Sequence, residues 1–570
     1  MRKVALPLLL CCALVATGLW ARRAAARAWD ALTRYDSPYA LDNGLAQARP
    51  RTAQTRHVVL VLVDGLRDDA SRGLPFLDSL RAIGADIHSH AGTPSLSLPG
   101  RATLLTGAWQ EVHGQMTNFS PRPVAVGHLF DALHRAGMTG ALAAGAATHT
   151  LFGTGHLSVV LAYPHHGGPG APDFSAYERE LHDAAASART MLVRDRPNFM
   201  QIDLSITDEA AHAWGANSDE YRRAARLADG EIRAIAATLD LSQDALVVTA
   251  DHGHLDVGGH GGSEPEVLDI PWVMAGRGIV AGARARGEQI DVAPTLAVLL
   301  GVEIPAMAEG KPLLDALTLS PAERAEAWRA LAAQRGRSYA RLYHVIGRTD
   351  APPPDPDDVV TIPPMTDSAH IAHLDAAVAR WRAAREARER SSRVPLAAAL
   401  ALLPLGLLAV AWRAGAVSGS EIGHAALGTV VALAVYGVFF RAAGLGYSFS
   451  DVNAEERLPA FFGRAMALAV ACGAVGVAAA TWWRVRGAER AGALALARLG
   501  LGVAAGTAYA FGVAALATHA RYGVVMHWEV PNVFWGFGFY LDTLSLMAVA
   551  FMAPVLALLA VGLGRLRPAT

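Results

Sequence analysis

Short apolar blocks separated by turn residues mark the middle of the chain, and long uncharged runs mark its two ends. HVVLVLVDG (57–65) is a continuous β-branched run stopped by Asp-Gly, the pattern of a strand buried on both faces. NFMQIDLSITD (198–208) and DALVVTADHG (244–253) repeat the form, and PWVMAGRG (271–278) is a fourth candidate strand. Between them lie helical patterns such as EYRRAARLADGEIRAIAATL at 220–239. Strands alternating with helices predict an α/β domain, a doubly wound and mainly parallel sheet with helices on both faces. Functional groups in such sheets gather beyond the carboxyl ends of the strands.

The uncharged runs predict membrane helices. Val4–Trp20 is flanked by Arg2, Lys3, Arg22, Arg23 and Arg27, and it reads as a retained anchor rather than a cleaved signal. Further spans are expected at Val394–Trp412, His424–Phe440, Phe461–Trp483, Leu494–Ala517 and Phe534–Gly564, each close to the ~20 residues that cross a bilayer. With the N-terminus inside, Arg413, the Arg484/Arg486/Arg490 cluster and Arg565/Arg567 fall on the cytoplasmic side, and residues 21–393 fall outside. The expected organisation is an anchor over 1–30, a catalytic domain over 55–315, a connector over 316–393 and a multi-span domain over 394–570. Within the connector, a helical pattern (Ala322–Arg341) is followed by the Pro/Asp-rich APPPDPDD at 351–358. A charged helix at 370–390 then leads into the next span. Arg464, Arg498 and Asp542 lie inside apolar spans, where ionisable residues carry a cost.

Composition narrows the choices. At 570 residues the chain is too long for one domain, and its net charge of −1 points away from a nucleic-acid partner. Its three cysteines (Cys11, Cys12 and Cys472) all fall in apolar runs, so a metal would be held by oxygen and nitrogen donors. No feature calls for an obligate protein partner.

Three strands deliver Asp64, Asp208 and Asp251 to one edge of the sheet. His212 lies four residues beyond Asp208, on the same face if a helix starts there. The stretch TADHGHLDVGGHGG (249–262) adds His252 beside Asp251, and His260 in a glycine-rich loop. Read alone, it is either a flexible polar loop or a metal site. With Asp64, Asp208 and His212 it makes six donors, enough for two divalent ions with three protein ligands each. Zn²⁺ suits such a set best, although Mn²⁺ also tolerates it. Two ions can clamp the attacking and leaving oxygens of a phosphoryl transfer. The segment TPSLSLPGRATLLTG (93–107) offers Thr93, Ser95, Ser97 and Thr103 as hydroxyl nucleophiles, and spacing does not choose among them.

Taken together, VDGLR (63–67), SLPGRATLLTG (97–107), HGQMTN (113–118), DEAAH (208–212) and TADHGHLDVGGHGG resemble the alkaline phosphatase superfamily. The branch is that of the type I phosphodiesterase/nucleotide pyrophosphatases, with a layout similar to the glycosylphosphatidylinositol ethanolamine phosphate transferases. The resemblance covers roughly residues 55–315 and implies an alkaline phosphatase-like fold. It also implies that Asp64, Asp251 and His252 hold the ion that activates the nucleophile, and that Asp208, His212 and His260 hold the ion near the leaving group. Ser97 falls at the nucleophile position, and Asn118 where a side chain contacts a non-bridging phosphate oxygen. The implied reaction is a double displacement through a phosphoserine ester, completed by water or an acceptor alcohol.

Two functions follow from this. One is transfer of a phosphoethanolamine-type group from a phospholipid to a membrane glycolipid. The other is hydrolysis of phosphodiesters by a membrane-tethered phosphodiesterase or nucleotide pyrophosphatase. Ala-, Arg- and Gly-rich usage suggests a bacterial inner-membrane protein with an extracytoplasmic catalytic domain. A transporter carrying a vestigial hydrolase domain fits less well, because the donor set is complete.

Overall fold

The computed structural model describes residues 2–39, 51–155, 157–163, 172–346, 367–486, 492–523 and 533–566. The expected break at 351–358, and Arg490 and Arg567 of the cytoplasmic clusters, lie outside the described residues. The chain forms two compact units, one of residues 33–385 and one of residues 1–32 with 386–570.

The first unit is built on an eight-stranded sheet. Its strands are β1 (Val58–Val63), β2 (Ala85–His90), β3 (Gly140–Gly145), β4 (Val159–Tyr163), β5 (Phe199–Leu204), β6 (Ala245–Thr249), β7 (Asp269–Gly276) and β8 (Arg284–Glu288). They lie in the order β4-β3-β5-β1-β6-β7-β2-β8. All neighbours are parallel except β7, which runs antiparallel to both β6 and β2. The sheet is thus mixed and mostly parallel, and the apolar run at 271–278 gave no hint of its reversed direction.

β1 sits at the middle, parallel to β5 and to β6. Its six residues are all buried because alternate side chains enter two different cores. Val58, Leu60 and Leu62 join a cluster with Leu104, Leu105, Val292 and Leu296, while Val59, Val61 and Val63 join one with Met200, Ile202, Tyr221 and Ile232. Each such side chain withdrawn from water contributes about 1.5–3 kcal/mol. This two-sided burial is why the strands read as unbroken apolar runs.

Two helices place the chemistry. Ser97–Thr106 has every residue buried except Arg101, and it ends at Gly107, whose φ of 66° gives the left-handed turn. Ile206–Trp214 starts two residues after β5 and carries Asp208 in its first turn and His212 in its last. A third, Asp219–Ala236, is capped by the Ser218 hydroxyl, which accepts the Tyr221 N–H at 3.0 Å.

The second unit is helical. Six helices of the described residues are long and apolar enough to cross a membrane, a composition consistent with a membrane domain. Each covers one of the apolar runs read from sequence. The charged stretch at 370–390 and the span after it form one continuous helix, Asp367–Arg413. Gly419–Ala442 and Leu458–Arg486 approach so closely at Gly428 and Gly476 that a Cβ on either would meet the other's backbone within 2.7 Å.

The Ser97 helix is pressed against the end of β6 through Gly100, where an added Cβ would lie 2.9 Å from both Cβ and O of Asp251. Gly100→Ala is therefore expected to cost roughly 1–3 kcal/mol by overpacking. Chemical denaturation of the purified protein checks this, and an unchanged midpoint would mean that the two elements are not in contact.

Candidate metal centre

Asp64 follows β1 directly, and its N–H donates to Leu204 O at 2.9 Å, continuing the ladder with β5. The next residue, Gly65, has φ +71°, and an added Cβ would strike the His254 ring at 2.9 Å. Its carbonyl accepts the Tyr221 hydroxyl at 2.8 Å, and the Arg67 N–H donates to that same hydroxyl at 3.0 Å. Asp251, two residues past β6, accepts from the N–H of Gly65 at 3.2 Å and of His252 at 3.1 Å through Oδ1, while Gln289 holds its carbonyl at 2.8 Å. Three chain segments thus converge at the carboxyl ends of β5, β1 and β6.

Two groups of side chains could each hold a metal ion: Asp64, Asp251 and His252, and Asp208, His252, His254 and His260. In the first group Asp64 Oδ1 lies 3.4 Å from His252 Nε2, and Asp251 Oδ1 lies 4.0 Å from it. Asp64 Oδ1 and Asp251 Oδ2 are buried with no hydrogen-bond partner among the described residues, a costly state that a cation would relieve. In the second group Asp208 Oδ1 and His260 Nε2 are 3.6 Å apart. His212 Nε2 stands 3.4 Å from that oxygen and 3.2 Å from that nitrogen. Donors around a four-coordinate ion with bonds of about 2.0–2.1 Å lie about 3.3 Å from one another, so the donors of Asp208, His212 and His260 are already near ligating separation. The His252 and His260 rings stack at 3.7 Å, which makes the two groups neighbours.

The imidazole hydrogen bonds agree with this. His252 Nδ1 lies 3.1 Å from Gly253 O, and His260 Nδ1 lies 2.9 Å from Ser95 O. A carbonyl only accepts, so each Nδ1 carries its proton and each Nε2 presents a lone pair. The donor set therefore fits two divalent ions.

Of the candidate hydroxyls, Ser97 is the first residue of its helix, with Oγ 3.1 Å from His252 Nε2. Asn118 is half-buried beside it, its Oδ1 accepting the Leu98 N–H at 2.9 Å. Ser95 is engaged with backbone, donating to Gly262 O at 2.8 Å and accepting from Gly261 N–H at 3.0 Å. Thr103 is buried against His113 Nε2 at 3.1 Å, and Thr93 is exposed.

Three residues of the cluster were not picked out from sequence. Arg101 reaches Asp64 Oδ2, Asp203 Oδ2 at 3.3 Å and Asp251 Oδ2 at 3.5 Å. Burial opposes its charge, but Asp64, Asp203 and Asp251 together raise its pKa. Asp203 is buried within β5, held by Gln201 Nε2 at 2.7 Å and Thr148 Oγ1 at 3.2 Å. A lone Asp inside the apolar run FMQIDL was the available signal. His254, fully buried, is the third. Burial, reinforced by Asp251, pushes the Asp64 carboxyl well above its usual range despite Arg101. Burial also works to raise Asp208, but His212, His254 and His260 outweigh it and hold that carboxyl well below.

Residues 58–261 match the family described as type I phosphodiesterase / nucleotide pyrophosphatase. Among curated proteins, GPI ethanolamine phosphate transferase 1 of Emericella nidulans is 24% identical over 364 residues, 51% of this chain and 37% of that protein. Its namesake in Gibberella zeae is 26% identical over 290 residues, 42% of this chain and 28% of that protein. The chain thus matches only about a third of these relatives' length. Among solved structures, human ectonucleotide pyrophosphatase / phosphodiesterase 5 is 14% identical with a TM-score of 0.38, over 46% of this chain and 100% of that one. At that score shared shape argues nothing about function.

Stripping divalent ions with a chelator should lower the melting temperature by on the order of 5 °C or more, since ligand at 1,000 times its Kd stabilises by about 4 kcal/mol. Affinity should also weaken as pH falls, because protons compete for these donors. A protein that melts identically with and without chelator would not be holding ions in these clusters.

Proposed function

For a chain whose residues 58–261 match the type I phosphodiesterase / nucleotide pyrophosphatase family, we propose a membrane-bound phosphodiesterase that works through Ser97. The observation that carries this reading is the Ser97 hydroxyl, at a helix N-terminus and 3.1 Å from His252 Nε2. It borders two His/Asp groups able to hold metal ions. Residues 55–315 form the catalytic part in this reading. Asp64, Asp251 and His252 hold one divalent ion, and Asp208, His212 and His260 hold the other, with Zn²⁺ the best match to the donors. Such ions supply Lewis acidity, favouring an ionised nucleophile and neutralising charge on phosphoryl oxygens.

The chain's own residues do the rest. Ser97 gives up its hydroxyl proton, Oγ attacks phosphorus, the Oγ–P bond forms, and the bond from phosphorus to the departing alkoxy oxygen breaks, so the proton lost from Oγ balances the one gained by the alcohol. The alcohol leaves with a proton taken up at that oxygen. Water then attacks the phosphoserine ester from the opposite side, the Oγ–P bond breaks, and a phosphomonoester is released. The positive end of the Ser97 helix dipole favours developing negative charge at its N-terminus. Asn118, fixed by the Leu98 N–H, has its amide nitrogen left to hold a non-bridging oxygen. His252 Nδ1–H, anchored on Gly253 O, keeps the imidazole from turning away from Ser97.

Transfer to an alcohol instead of water is a second reading. It is favoured by the names of the curated relatives and by the six long apolar helices, which hydrolysis alone does not require. In it the ester passes to a membrane glycolipid, with a phospholipid as donor. Both readings place the catalytic unit on the outer face of a bacterial inner membrane, in a multi-pass protein.

The test uses bis(p-nitrophenyl) phosphate and phosphatidylethanolamine with the detergent-purified, metal-loaded protein. Diester turnover is expected, and Ser97→Ala should lower kcat/KM at least roughly a thousandfold while bound metal is unchanged. Asn118→Ala should lower it roughly a hundredfold. Normal turnover by Ser97→Ala would remove Ser97 from the mechanism. Phosphatidylethanolamine consumed only when a glycolipid alcohol is supplied would favour transfer over hydrolysis.

A further inference from the structure

Three histidines follow one another in the loop after β6, and the middle one, His254, differs from the other two in how its ring is held. His252 and His260 donate through Nδ1 to carbonyls and so present Nε2 lone pairs. At His254 the polarity is reversed, because its Nδ1 accepts the Gly259 N–H at 3.2 Å. A neutral imidazole with an accepting Nδ1 carries its proton on Nε2. That Nε2 lies 2.7 Å from Asp208 Oδ1. The separation is that of a charge-assisted hydrogen bond, and it is shorter than the ~3.3 Å expected between two donors on one four-coordinate ion. His254 therefore stands among the metal-type donors in space but not in chemistry.

From this geometry we infer that His254 is a positioning residue: its Nε2–H orients Asp208 toward His212 and His260, and its Nδ1 pins the loop that delivers His260. The inference rests on the assignment of Asp208, His212 and His260 to one ion, and deepens it. The ring is fixed from three directions. It is fully buried, it packs over Gly65, where a Cβ would approach it to 2.9 Å, and it meets the His212 ring edge-on at 4.9 Å. Asp208 lies in the first turn of a helix and Gly259 in a glycine-rich loop, two segments that come together at this ring. Asp208 Oδ1 has two lone pairs, so it can accept the His254 proton and still face His212 and His260. Partners of this kind commonly change metal affinity by 10–100-fold while leaving the ligands themselves in place.

The test measures metal binding, independently of any substrate. Full-length protein in detergent is titrated with Zn²⁺ against a chromophoric chelator, and with Co²⁺ for its ligand-field spectrum. Wild type should bind two ions. His254→Ala should keep the ion at Asp64, Asp251 and His252 and bind the other roughly 10–100-fold more weakly. His254→Gln, whose amide N–H can reach Asp208, should recover most of that loss with a wild-type Co²⁺ spectrum. If His254→Ala binds neither ion through misfolding, His254→Gln decides alone, and two ions at wild-type affinity support the inference. Unchanged affinity for both ions in His254→Ala overturns it. So does a His254→Gln protein that loses the second ion or shows a spectrum missing one nitrogen ligand, for His254 would then be a ligand. Loss of phosphodiester turnover with intact metal binding would instead count against the functional reading and leave this inference standing.

Discussion

Four aspartates, Asp64, Asp203, Asp208 and Asp251, are brought together where the chain has excluded most of its water, and the rest of the site depends on how that charge is balanced. Arg101 contacts three of them and the imidazoles of His212, His254 and His260 surround the fourth. The balance is incomplete, since Asp64 Oδ1 and Asp251 Oδ2 lack hydrogen-bond partners among the described residues and burial raises the pKa of the Asp64 carboxyl. Buried carboxylate oxygens without a hydrogen-bond partner are costly, and divalent cations held by the two candidate groups would complete the neutralisation.

The fold supplies the rigidity that this arrangement requires. Asp64 follows β1 directly and Asp251 lies two residues past the adjacent parallel β6, so their spacing is set largely by the β1–β6 pairing. Asp208 is carried in the first turn of the helix after β5, and Tyr221 ties that side to the β1 turn through the Gly65 carbonyl. Ser97 is brought in by a helix that touches β6 through a glycine. Placement on rigid elements gives a hydroxyl and two donor clusters a fixed mutual geometry, and in-line displacement at phosphorus needs that geometry.

Much of this was legible in the sequence where the information is local. β1, β5 and β6 are buried on both faces and announce themselves as apolar runs, and the Asp-x₃-His and Asp-His spacings carry their geometry with them. β3, the small-residue run GALAAG, and β8, the exposed RARGE, have no such signature. The direction of β7 is set by its partners β6 and β2, and a run of apolar residues does not encode direction. The roles of Arg101 and Asp203 arise only when residues a hundred positions apart meet. His254 shows the limit best: its neighbours in sequence suggest a ligand, but one backbone N–H, that of Gly259, reverses its protonation and hence its chemistry. In the helical unit, composition revealed every long apolar helix among the described residues, because length and hydropathy alone define one.

The central claim is that Ser97 forms a covalent ester with the phosphoryl group. It is tested most directly by incubating metal-loaded protein with a phosphodiester, quenching in acid during turnover, and measuring the mass of the peptide that contains Ser97. The account predicts a peptide heavier by one phosphoryl or substituted phosphoryl group, with the addition mapped to the Ser97 hydroxyl. An adduct on another residue, or none in enzyme that is turning over, would contradict it.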